Sequence, residues 1–128
     1  MIIYPSLQRS RSTSGTRLPP PILAAAREGV IDPAWRKTLI TVKPYPMMTC
    51  GDEVLLRWHG LNNEGGPYRH EVAGFVTERQ VGWDVVFVVR EAHIAELDGG
   101  SLEISYQVTG KRLPDPLVSD PLQLEVGD

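Results

Sequence analysis

The chain has 128 residues, of which 41% are hydrophobic and 23% charged, and its net charge is −3. That length fits one domain with a real core, and the mild negative charge argues against general nucleic-acid affinity. No apolar run approaches the ~20 residues of a membrane span, and the single cysteine, Cys50, excludes an internal disulfide and a thiolate-rich metal site.

In chain order, residues 1–17 read as a flexible basic arm. Ser, Thr, Arg and Gly dominate there, with too little apolar surface to offset the ordering entropy. The apolar part, Met1 to Tyr4, precedes the basic residues and is too brief for a signal-peptide core, so export would need a signal outside this chain or a route that uses none. The remaining residues, 18–128, are expected to form one domain. Leu18-Pro-Pro-Pro suits an extended edge segment, Ala24 to Glu28 a single helical turn, and Val30 to Trp35 a loop tucked under the core.

From Thr38 onward the apolar period is two. Ile40 and Val42 face one side, then Val54, Leu56 and Trp58 after the Gly51-Asp52 turn, with Asp52 bonding to nearby backbone. Leu61 to Tyr68 reads as a polar loop, and Glu71 to Val76 as a weak strand whose Gly74 suggests an edge or a bulge. Trp83 to Val89 reads as the strongest strand. Val85, Phe87 and Val89 point inward, and the apolar Val86 and Val88 suggest that its other side is covered or partly buried as well. Arg90 to Leu97 reads as a short helix stopped by Asp98-Gly-Gly. Leu102, Ile104, Tyr106 and Val108 alternate in the next strand, and Leu122, Leu124 and Val126 in the last. About seven strands with turn signals between them and one helical corner predict an all-β, immunoglobulin-like sandwich with Trp58 and Tyr106 in the core.

The segments GDEVLLRWHG, VGWDVVFVVREAHIAELDGGSLEISYQVT and PLQLEV resemble the bacterial immunoglobulin-like repeats of large proteobacterial surface and adhesin-type proteins. The shared letters are Gly51, Asp52, Trp58, Gly60, Gly99, Gly100, Ser105, Tyr106 and Val108, and the resemblance spans about residues 18–126. It implies a non-catalytic structural or adhesive module, extracellular or at the cell surface if the chain belongs to a larger exported protein. Fold alone does not name a ligand.

No catalytic or cofactor motif is expected to operate here. His59, His70 and His93 lack metal-ligand spacing, although a hairpin-like connection would let His59 and His70 face each other near Glu64 or Glu71. The acidic positions Asp98, Asp115 and Asp120 lack the dense spacing of a calcium loop. Cys50 has no histidine beside it in sequence. Binding is therefore assigned to the loop residues Asn62, Asn63, Glu64, Tyr68 and Arg69, with a protein or glycan as partner. A free-standing carbohydrate- or protein-binding accessory domain, using that loop and the basic arm, is the alternative. Exposed edge strands also leave self-association open.

Overall fold

The computed structural model describes residues 17–23, 29–32 and 37–127. Among the described residues, nine strands form two facing sheets, joined by one α-helix and one 3-10 turn. Alternation sets the layers, because Lys37–Val42, Glu53–Leu61, Val85–Arg90 and Ser101–Thr109 alternate buried with more open residues and so have one face to hide.

The smaller sheet has the order β1-β3-β6, from Ile22–Leu23 (β1), Lys37–Val42 (β3) and Val85–Arg90 (β6). The larger has the order β2-β9-β7-β4-β5: Val30–Ile31 (β2), Leu122–Val126 (β9), Ser101–Thr109 (β7), Glu53–Leu61 (β4) and Pro67–Phe75 (β5). A short strand, Leu117–Val118 (β8), extends β9 along β7. The pairing is that of an immunoglobulin-like sandwich, with β4 central and matched residue for residue to β5 and β7.

Trp58, Leu56 and Val54 from β4 and Ile104, Tyr106 and Val108 from β7 meet Ile40, Val42, Phe87 and Val89 from the smaller sheet in one buried cluster. Each such aliphatic or aromatic side chain contributes roughly 1.5–3 kcal/mol by leaving water. Helix α1, Glu91–Ala95, closes the corner between β6 and β7 and buries Ile94. It is shorter than the sequence suggests: a turn through Leu97 follows, and Gly99 at φ 83° redirects the chain into β7.

Between β8 and β9 the pairing to β7 slips by one residue, a bulge. Ser119 fills the gap: its Oγ accepts the Tyr106 N–H at 2.9 Å, and its own N–H donates to the Tyr106 carbonyl. Leu18 bridges the outer side of the bulge, donating to Val118 and accepting from Asp120. The Tyr106 hydroxyl reaches across to donate to the Pro19 carbonyl at 2.9 Å. The tyrosine thus ties β7 to the N-terminal segment.

Four local expectations change. Val30–Ile31 is a strand, parallel to β9, where a loop was expected. Strand β5 begins at Pro67 and runs to Phe75 as an unbulged edge, with Gly74 in regular register opposite Val54. Trp83 lies outside β6 and is 71% exposed. The outer face of β6 is open, with Val86 49% and Val88 48% exposed, because only β3 flanks that strand and no layer covers it among the described residues. Residues 1–16 of the arm expected at 1–17, and the helical turn expected at 24–28, lie outside the described residues.

Candidate functional face on the larger sheet

Residues of β4, β5, β7 and β9 that point away from the core share the outer face of the larger sheet. Register brings distant positions into rows. His59 is opposite Arg69 on one side and Glu103 on the other, and Glu103 is opposite Gln123. Around this row lies an open cleft of about 330 Å³, lined among others by Leu61, Pro67, Arg69, Ser101 and Glu103.

Polar side chains in the row are already paired across strands. Gln123 Nε2 donates to Glu103 Oε1 at 2.6 Å, and His59 Nε2 lies 2.9 Å from Glu71 Oε2. In the next row Arg57 Nη2 donates to Gln107 Oε1 at 2.6 Å. The hydrogen bond from His59 holds the Glu71 carboxyl below the usual carboxylate range, and the charges of His59, Arg57 and Arg69 add to that pull. A rigid sheet therefore presents guanidinium and amide donors, carboxylate acceptors, and an apolar end at Leu61 and Pro67. Such a surface can hold hydroxyl- or amide-bearing ligands in a fixed register.

The five residues assigned from sequence do not gather at one place. Asn62 is engaged by its own loop, where Oδ1 accepts the N–H groups of Glu64 at 3.0 Å and Gly66 at 2.8 Å. Asn63 sits against Gly99, and Glu64 is exposed. Tyr68 and Arg69 belong to β5 and both line the cleft, but the Tyr68 hydroxyl turns inward to His93 Nδ1, 2.6 Å away. Arg69 alone of the five has its side chain on the outer row. His59, Glu103 and Gln123 were missed as lining residues, since only strand register reveals that they are neighbours.

The histidines also separate. His59 and His70 lie on opposite faces of the sheet, as their pairing with Arg69 and with the buried Trp58 requires. His70 instead stacks on His93 of α1, ring centroids 3.5 Å apart and planes 13° from parallel. Burial and the neighbouring His93 both lower the His70 pKa. Among the described residues, no three His, Cys, Asp or Glu side chains converge as metal donors. Asp120 is held by Arg17 at 2.5 Å, and Cys50 is exposed in its turn. Among the described residues no helix is long and apolar enough to cross a membrane. Comparison with known protein families and with curated proteins gives no match to this chain.

Proposed function

We propose that this chain is a non-catalytic, immunoglobulin-like adhesive module of a bacterial surface or secreted assembly, and that it binds a protein or glycan through the outer face of its larger sheet. The observation that carries this reading is the row His59, Arg69, Glu103 and Gln123, which frames an open cleft with donors and acceptors fixed by four strands. The resemblance of the Gly51–Gly60 and Ser101–Val108 motifs to surface-protein repeats supports the setting. His59 pairs with Glu71, His93 with the Tyr68 hydroxyl, and His70 stacks on His93, so no histidine faces a serine, threonine or cysteine nucleophile among the contacts of the described residues.

Glycan and peptide arrays probed with the wild-type chain and with Arg69→Ala and Glu103→Ala variants test the reading. Binding that falls about tenfold in either variant, at unchanged thermal stability, supports it. Binding indifferent to both substitutions removes this face from the account.

A further inference from the structure

Strand β6 is an edge strand, paired along one side with β3 and along the other with nothing among the described residues. Natural proteins shield such edges with lysine, proline, bulges or covering segments. Val85-Val86-Phe87-Val88-Val89 has no such residue, and its register to β3 is unbroken. Five consecutive apolar residues of high β propensity make this the most association-prone stretch of the described chain. Its outer face is apolar too, since Val86 and Val88 lie exposed and Val88 is opposite the exposed Leu39.

The charges that flank the strand are arranged symmetrically about its centre. Asp84 precedes the apolar run, Arg90 ends it, and Phe87 lies midway between them. If a second strand of the same sequence runs antiparallel about a two-fold axis at Phe87, Val85 falls opposite Val89 and Val86 opposite Val88. Asp84 then falls opposite Arg90 of the second copy, twice per pair. Because each pairing joins residues of like parity, inner faces stay inner and outer faces stay outer. Whichever alternate set of backbone groups points outward, the two-fold arrangement closes it with ladder hydrogen bonds.

Electrostatics within one copy favours the same occupant. Arg90 is directly opposite Lys37 in the β3–β6 register, an unfavourable like-charge pair. Asp84 of a second copy would stand opposite Arg90, with Lys37 one strand further on. At the other end Asp84 has a loose, exposed contact with Lys43 at 3.4 Å, which leaves its second oxygen for Arg90.

We infer that β6 is the seam of a two-fold homodimer, in which two smaller sheets join into one continuous six-stranded sheet. The interface is isologous and narrow, so the affinity belongs to the weak end of specific association. This inference is independent of the ligand-binding face, which lies on the other sheet.

Sedimentation velocity on the full chain, from about 1 µM to several hundred micromolar, reads the equilibrium directly. The wild type is expected to pass from monomer to dimer over that range. Asp84→Arg sets arginine against arginine, and Arg90→Asp sets aspartate against aspartate, so each alone is expected to weaken the dimer about tenfold. The double swap, Asp84→Arg with Arg90→Asp, restores the pairing and is expected to recover the wild-type affinity. Both positions are exposed, and Arg90 is the N-cap of α1, where aspartate is a favoured residue, so folding is not placed at risk. A monomer at every concentration, a dimer indifferent to the single changes, or a double swap that fails to recover affinity would each overturn the inference.

Discussion

The indole N–H of Trp58 donates to the His93 carbonyl at 3.2 Å, so the residue that fills the space between the sheets also anchors the corner helix. Core packing and the connection from β6 to β7 are thereby coupled at one side chain. Trp58→Ala is expected to cost about 3–5 kcal/mol, and Trp58→Phe, which keeps most of the volume but orphans that carbonyl, roughly 1–3 kcal/mol. Urea unfolding of the two variants separates the terms, and a Trp58→Phe variant as stable as the wild type would mean that the hydrogen bond contributes nothing.

Asp52 is the second such junction. Its buried carboxylate accepts the Tyr45 hydroxyl at 2.7 Å and the Thr49 N–H at 2.9 Å, holding the turn into β4. Asp52→Ala leaves both donors unpaired and is expected to destabilise by about 1–3 kcal/mol, with Asp52→Asn losing less. Chemical denaturation measures both.

The two buried tyrosines should resist titration. Burial, the hydrogen bond to Asp52 and the charge of Asp52 all push the Tyr45 hydroxyl upward, and burial pushes Tyr106 to about 12. Each hydroxyl ionises more readily in the unfolded chain, near the ordinary value of about 10. Their contribution to stability is therefore complete below that value and is lost as pH rises beyond it. Absorbance titration is expected to show Tyr45 and Tyr106 ionising together with alkaline unfolding, after the more exposed tyrosine signal. Early ionisation of Tyr106 would contradict its burial.

His70 gives a separate acid signature. Its pKa is lowered in the fold, so the unfolded chain takes up the proton more readily. The stability it contributes is full above about 6.5 and falls as pH drops through the lowered folded value. Melting temperature is expected to decline between pH 7 and 5, and His70→Phe, which keeps a stacking ring that binds no proton, should flatten part of that decline. Glu71, with its carboxyl held low by His59, acts in a lower window, so the two are separable. An unchanged slope in the phenylalanine variant would dismiss the stacked pair as its source.

Much of the sandwich is written in local pattern. Val54, Leu56 and Trp58, and likewise Leu102, Ile104, Tyr106 and Val108, alternate so regularly that face and burial follow from period alone. Gly100 is equally legible in retrospect. A Cβ there would fall on the Leu61 carbonyl and the neighbouring backbone. Other features have no local signal. Val30–Ile31 is too short to show a period and is a strand only because β9 lies alongside it. Val86 and Val88 look buried by composition but face solvent, since nothing in a single strand tells how many layers surround it. The outer row is the clearest case: His59, Arg69, Glu103 and Gln123 become neighbours only through three strand registers, so loop composition pointed to Asn62, Asn63, Glu64, Tyr68 and Arg69, of which Arg69 alone belongs to the row.

The central claim is that binding resides on the outer face of the larger sheet, and amide chemical-shift mapping with the strongest array ligand tests it most directly. The account predicts that perturbations concentrate on the outer row of His59, Arg69, Glu103 and Gln123 and weaken in Arg69→Ala. Perturbations confined to Asn62–Gly66 or to the smaller sheet, or the absence of any glycan or peptide ligand, would contradict it.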